Sequence, residues 1–421
     1  MYSNAIWIML EKLINIAGLI YINSLMAKYI GPEDFGKISI TTSLFIFVQT
    51  LSWFGGQNII FKRMSINAKS GIAMALHTQN QRRFFFLLSS SAVLIYLYFF
   101  TDSIVFIFGV ANGIATYYIV MDFFSIYNNT QLKSKINTIT NIAGLSVALL
   151  IRFCISHFKM PVYYFTIPII IIPLMPYLMR LVYFKYTTEM KGNAKCGKVY
   201  NRHMLYTGGA LILSSLSADI YTQISGIFLA KIASFSSLGV YSVALTMGGA
   251  WSFIVLSLIT SFFSRIYSEK DPITVDHLLL KINRMVILLS LLVLGGFYTF
   301  GNFFIQLLYG DSYMESVEII PIIIMGTMFS SLGTICYRYI VKESGYSFLA
   351  KKMVVCCLLT IPLSWVMIKV FGINGAAYCF LIVEIFSCTL LNYFFKNRII
   401  FKMHLGIFKS GGFNLNDKAN S

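Results

Sequence analysis

The stretch Ala27-Lys28-Tyr29-Ile30-Gly31-Pro32-Glu33-Asp34-Phe35-Gly36-Lys37-Ile38-Ser39 links two long apolar runs. Ala230-Lys231-Ile232-Ala233-Ser234-Phe235-Ser236-Ser237-Leu238-Gly239-Val240-Tyr241-Ser242 reproduces its frame 203 positions later. Ala27/Ala230, Lys28/Lys231, Gly36/Gly239 and Ser39/Ser242 are identical in register, and Phe35 is matched by Leu238. Any short turn between membrane helices favours a glycine, so these identities carry little alone. The same apolar flanks on both copies point to duplication. Two similar halves in tandem is a transporter layout.

Composition sets the class. A soluble domain carries about 25% charged residues; this chain of 421 residues carries 12%, with 57% hydrophobic residues and a mean hydropathy of +0.74. Apolar runs long enough to cross a hydrocarbon core of about 30 Å recur from end to end. They are continuous, so a β-barrel with its short alternating segments is excluded. The expected fold is an all-α integral membrane protein of about twelve transmembrane helices, over 5–27, 36–61, 84–100, 104–127, 136–158, 162–184, 204–230, 237–264, 281–300, 317–340, 350–371 and 374–396. The domains expected are an N-terminal six-helix bundle (1–185), a cytoplasmic linker (186–203), a C-terminal six-helix bundle (204–400) and a cytoplasmic tail (401–421).

The net charge of +17 would suggest nucleic acid in a soluble protein; here it reads as topology, and no nucleic-acid partner is expected. With the N-terminus inside, the even connections and the tail hold 24 Lys and Arg, against five in the outer loops. That bias obeys the positive-inside rule and places both termini in the cytoplasm. Arg82 and Arg83 count among the loop cations, and Phe84-Phe85-Phe86 after them reads as an interfacial aromatic belt. Glu11 and Lys12 interrupt the first apolar run, so no cleavable signal is read there. The seven Cys show no metal spacing with His and read as structural thiols. No His-Glu-x-x-His motif, phosphate loop or His-carboxylate cluster marks an enzyme.

Several of these stretches together resemble a known family. Lys28 to Ser39 with its Gly-Pro-Glu-Asp-Phe-Gly core, Ser225-Gly226-Ile227-Phe228-Leu229-Ala230-Lys231 running to Gly239-Val240-Tyr241-Ser242, Leu308-Tyr309-Gly310-Asp311-Ser312-Tyr313 running to Pro321, and Phe371-Gly372-Ile373-Asn374-Gly375-Ala376-Ala377 are similar in kind and order to O-antigen (Wzx-type) polysaccharide flippases. The resemblance covers about the whole chain. The family often has an acidic residue early in the helix before the second turn; that frame gives Ser225 here, with Asp219 six positions earlier. The resemblance implies the multidrug/oligosaccharidyl-lipid/polysaccharide exporter superfamily, with the two bundles related by a pseudo-two-fold axis along the membrane normal and alternating access between them. It implies an undecaprenyl-diphosphate-linked oligosaccharide as substrate, flipped across a bacterial inner membrane for lipopolysaccharide biosynthesis. Membrane lipids and the O-antigen polymerase machinery are the candidate partners. No cofactor is expected; an H+ or Na+ gradient is the candidate driving force.

A charge at the bilayer centre costs about 2.5–3.5 kcal/mol on insertion scales, so intramembrane charges should face a cavity or a partner. Guanidinium binds phosphate oxygens in a bidentate fork. Arg152, Arg338 and Lys12 are therefore the candidate diphosphate ligands, lining one cationic cavity. Arg180 is a fourth, or snorkels to lipid phosphates. Asp122, Asp219 and Glu384 are candidates for ion coupling or for neutralising those cations; for each charge the alternative is a salt bridge within a bundle. Gln57, Asn58, Asn137, Asn141, Gln223 and Tyr337 could contact sugar or simply join helices. Pro168, Pro173, Pro176, Pro321 and Pro362 mark helix kinks. An exporter of drugs or other lipid precursors, or an integral membrane O-antigen polymerase, is the alternative function.

Overall fold

The computed structural model describes residues 2–188, 197–269 and 271–407, with backbone alone for 2–17, 19, 22, 197, 198, 210, 264 and 268. It is 91% helix, with no strand among the described residues. The helices are α1 (Tyr2–Trp53), α2 (Gly56–Ile66), α3 (Ala68–His77), α4 (Gln79–Phe100), α5 (Ser103–Met121), α6 (Phe124–Thr130), α7 (Ser134–His157), α8 (Thr166–Thr187), α9 (Gly197–Ile232), α10 (Phe235–Gly249), α11 (Ser252–Ser268), α12 (Pro272–Leu308), α13 (Ser316–Lys342), α14 (Tyr346–Cys388), α15 (Leu390–Tyr393) and α16 (Ile399–Ile407). Hydrocarbon offers backbone groups no partner, and helices satisfy them internally.

The chain divides into two compact units, Met1–Gln223 and Ile224–Ser421, and the division falls inside α9. In the first unit α1 packs on α4, α5 and α7, and α8 packs on α5 and α7. In the second, α13 packs on α10, α12 and α14. Of the expected 186–203 linker, residues 189–196 lie outside the described residues, as does the tail beyond 407.

The repeated stretch folds alike in both units. Inside α1 the helix breaks at Gly31, whose φ of 78° and ψ of 173° are non-helical, and restarts at Pro32. Proline suits a first helical turn, where its missing N–H costs nothing. In register with Gly31, Ser234 caps α10, its Oγ accepting from Ser237 N at 3.0 Å. Phe35 and Leu238 are buried, as are Gly36 and Gly239, while Lys28 and Lys231 are exposed. Ser39 Oγ donates to Phe35 O at 2.9 Å, and Ser242 Oγ to Leu238 O at 2.8 Å. A second break divides α14 at Gly372, with φ of 57°.

Alternate connections of the first unit gather at opposite ends. At one end Tyr29 Oη donates to Met160 O at 2.9 Å, and Lys37 Nζ meets Glu33 at 2.9 Å, Asp34 at 3.4 Å and Asp102 at 3.7 Å. At the other, Arg82 donates to Ala75 O at 2.9 Å and Val120 O at 2.8 Å and lies 4.8 Å over the Trp53 ring. Arg82 is thus fully buried rather than a solvated loop cation. The Phe84–Phe86 belt is only partly as expected. Phe84 is exposed, Phe85 stacks on Phe54 at 4.9 Å, and Phe86 packs with Phe45 and Val48 in the core.

Among the described residues, eight helices are long and apolar enough to cross a membrane; Asn23–Trp53 and Gly56–Ile66, bent by 48°, add a ninth if taken as one span. The expected span 204–230 in α9 is not among them. Its 214–225 stretch holds Ser214, Ser215, Ser217, Asp219, Thr222, Gln223 and Ser225, which offset its Leu and Ile.

At the α7–α8 contact, a Cβ added to Gly144 would lie 2.9 Å from the Pro176 ring and 3.2 Å from Ile172 O. A rigid ring and a backbone carbonyl cannot turn aside. Gly144→Val is therefore expected to destabilise the first unit by about 1–3 kcal/mol, read as a lowered thermal midpoint of the purified protein in detergent.

Candidate functional site

Helices α5, α7 and α8 bring together a polar cluster in the first unit. Pairing satisfies a buried charge where burial alone would penalise it. The Arg180 guanidinium, 5% exposed, pairs with Asp122 Oδ2 and donates to Asn141 Oδ1. Its Nε donates to Thr140 Oγ1 at 3.0 Å, and Nη2 also reaches Asn137 O at 3.4 Å. On the far side, Asp122 Oδ1 accepts from Ser125 N at 3.2 Å. Asn137 donates to Ser125 O and Asn129 Oδ1, each at 2.9 Å, and accepts from Asn128 Nδ2 at 3.0 Å. The donors of Arg180 are thus turned inward on protein acceptors, away from lipid phosphates. Asn137 and Asn141 are spent on the same network.

Two other charges of this unit, one buried and one half-buried, have no such compensation among the described residues. Arg152 on α7 is 3% exposed, close to the helix end at His157. Its Nη1 reaches Asn23 Oδ1 at 3.4 Å, its Nε has no hydrogen-bond partner, and no carboxylate pairs with it among the described residues. Asp219 on α9 is half-buried. The Thr50 side chain serves the carboxyl on one side, and Oδ2 has no partner. Nearby on the same helix, Gln223 Oε1 accepts from Ser43 Oγ at 2.9 Å.

In the second unit Arg338 stands about one turn before the end of α13. Its Nη2 donates to Thr260 Oγ1 at 3.0 Å, and its guanidinium lies 5.8 Å from the Phe263 ring centre. The side chain is half-buried, so part of the fork stays accessible. Glu384 on α14 is buried, and its charge acts on Cys356 and Cys388, as does that of Lys352. Arg152 and Arg338 belong to different units. The Lys12 side chain lies outside the described residues. Gln57, Asn58 and Tyr337 are exposed.

Three cations that the sequence reading places in connections are buried: Lys37 among the five outer-loop cations, and Arg82 and Lys352 among the 24 of the even connections and tail. Lys37 meets carboxylates; the other two lie on helix faces. Lys352 and Arg82 sit on buried stripes of i, i+4 spacing: Lys352, Cys356, Thr360, Ser364 and Ile368 on α14, and Arg82, Phe86 and Ser90 on α4. Helical periodicity was the signal that could have found them.

Removing one partner of a buried ion pair leaves the other uncompensated, at about 3–5 kcal/mol. Asp122→Asn is expected to lower the stability of the protein in detergent by that order. Asp122→Asn combined with Arg180→Met should recover most of the loss, and a double-mutant cycle of thermal midpoints checks it.

Comparison with known proteins agrees with this architecture. An inward-facing multidrug resistance MATE family transporter of the MOP superfamily superposes with a TM-score of 0.73 at 11% identity, over 94% of this chain and 96% of that one. Lipid II flippase MurJ in an inward closed conformation gives 0.69 at 14% identity, over 99% and 95%. A eukaryotic MATE transporter gives 0.55 at 13% identity, over 95% and 96%. At these identities the likeness establishes the fold, which is a transporter fold. No curated protein sequence matches the chain. The family model described as "Polysaccharide biosynthesis protein" matches residues 25–318, most of the chain, and the protein belongs to that family.

Proposed function

We propose that this protein is a flippase that carries a lipid-diphosphate-linked polysaccharide precursor across the membrane by alternating access, with an undecaprenyl-linked O-antigen repeat unit as its substrate. One observation carries the reading: Arg152 is a buried guanidinium for which no carboxylate partner is described. An uncompensated cation in a low-dielectric site favours an anion, and a diphosphate matches its fork. Membership of a polysaccharide biosynthesis family and the fold shared with a lipid II flippase support the choice of substrate.

The twelve-span arrangement belongs to this proposal. The bent pair counts as one span, α9 crosses despite its polar stripe, and the breaks at Gly31 and Gly372 each separate two spans. The spans form two bundles related by an axis along the membrane normal, in a bacterial inner membrane with both termini cytoplasmic. In that topology the α13 end beside Arg338 is cytoplasmic and the α7 end beside Arg152 is periplasmic. The two arginines then meet the diphosphate in turn, Arg338 at loading and Arg152 at release, rather than clamping it together. Asp219, with its unpartnered oxygen, is the proposed site of H+ or Na+ coupling. The same carboxyl would suit a cationic drug, which keeps drug export as the second reading.

The test is surface polysaccharide in cells whose only copy is a variant. A lost charge-assisted contact of roughly 1.5–3 kcal/mol corresponds to a fall of about tenfold or more. Arg152→Ala and Arg338→Ala should each show that fall, with lipid-linked precursor accumulating and the protein inserted at normal levels. Lys at either position should restore little, because an ammonium lacks the fork. Full polysaccharide from the double Ala variant would overturn the proposal. Loss of drug resistance with polysaccharide intact would favour the second reading. Asp219→Asn should abolish flipping that an uncoupler also abolishes.

A further inference from the structure

Three metal-ligating side chains far apart in sequence meet in the second unit. Cys336 lies on α13, Cys388 is the last residue of α14, and His404 lies on α16. Their ligand atoms all lie within 4.8 Å of one another. Cys336 Sγ is 3.4 Å from His404 Nε2, and Cys388 Sγ lies within 4.8 Å of both. Both cysteines are free and buried, while His404 is half-buried and leaves a way in from the surface.

The spacing suits coordination. A tetrahedral ion with about 2.3 Å to sulfur and about 2.0 Å to nitrogen holds the two donors roughly 3.5 Å apart, against the 3.4 Å between Cys336 and His404. The second layer suits it as well. His404 Nδ1 lies 3.1 Å from Tyr393 Oη. A proton on Nδ1, donated to that hydroxyl, leaves the Nε2 lone pair facing sulfur, the arrangement in which metal-bound imidazoles are held. Lys352 and Glu384 are buried nearby, the charge of Lys352 acting on both thiols and that of Glu384 on Cys388.

We propose that Cys336, Cys388 and His404 bind one thiophilic closed-shell metal ion, Zn2+ or Cu(I), which staples α16 onto α13 and α14. Two thiolates and an imidazole are soft donors that select such ions over Mg2+ or Ca2+. Binding forms two metal–sulfur bonds and one metal–nitrogen bond and releases the two thiol protons to solvent; no oxidation occurs. The C-terminal end of α16 is already tied, with Arg284 of α12 donating to Ile407 O at 2.9 Å and Gly406 O at 3.3 Å.

The experiment uses the full chain, purified reduced in detergent, stripped with a chelator and titrated with Zn2+ alone or Cu(I) alone against a competing indicator. One equivalent of one of these ions should bind with release of about two protons and should protect Cys336 and Cys388 from alkylation. Cys388→Ser and His404→Ala should each weaken binding more than tenfold, and Tyr393→Phe by about 10–100-fold. Cys154→Ser, at an exposed thiol of the first unit, should leave binding unchanged. The wild-type titration decides without reliance on any variant. No bound ion at either titration, a Cys336–Cys388 disulfide trapped directly from cells, or binding indifferent to Cys388→Ser and His404→Ala would overturn the site.

Discussion

A charge removed from water must find its compensation inside the protein, and in this chain hydrocarbon enforces that rule almost everywhere. The pairing of Arg180 with Asp122 is its fullest expression. The guanidinium lies among Asp122, Asn141, Thr140 and Asn137, and Ser125 serves the far side of the carboxylate. Helices α5, α7 and α8 are held in one arrangement by what those two charges require. Where the rule is obeyed, the side chains are structural. Among the described residues it is left open at Arg152 Nε and Asp219 Oδ2, which have no hydrogen-bond partner.

That contrast separates scaffold from function more sharply than residue type does. Arg82 is as buried as Arg152, yet it is spent on two carbonyls and a tryptophan ring. Lys37 is buried among three carboxylates. Both belong to the joints where helices end. Arg152 has one long contact to Asn23.

Much of this was legible in the chain, because the bilayer imposes a coarse grammar of apolar runs and basic connections. The Gly31 break and its partner at Ser234 followed from one repeated stretch. The intramembrane charges could be picked out one by one. Their pairings could not, since Asp122 and Arg180 are 58 residues apart and meet only once three helices pack. Assigning Arg82 and Lys352 to loops failed for a different reason. Counting charges by segment ignores which face of a helix each one occupies, and both lie on buried faces. The Cys336, Cys388 and His404 cluster has no signature spacing at all, because its members come from three helices.

The polar stripe of α9 bears on how the protein is made. A helix carrying Asp219 beside four serines gains little from partitioning into lipid on its own when it leaves the translocon. The stripe becomes tolerable once Thr50 and Ser43, delivered earlier by the ribosome on α1, are there to receive it. In the twelve-span arrangement proposed above, α9 would thus enter the membrane as a partner of α1 rather than on its own, so that the order of synthesis itself supplies what lipid does not.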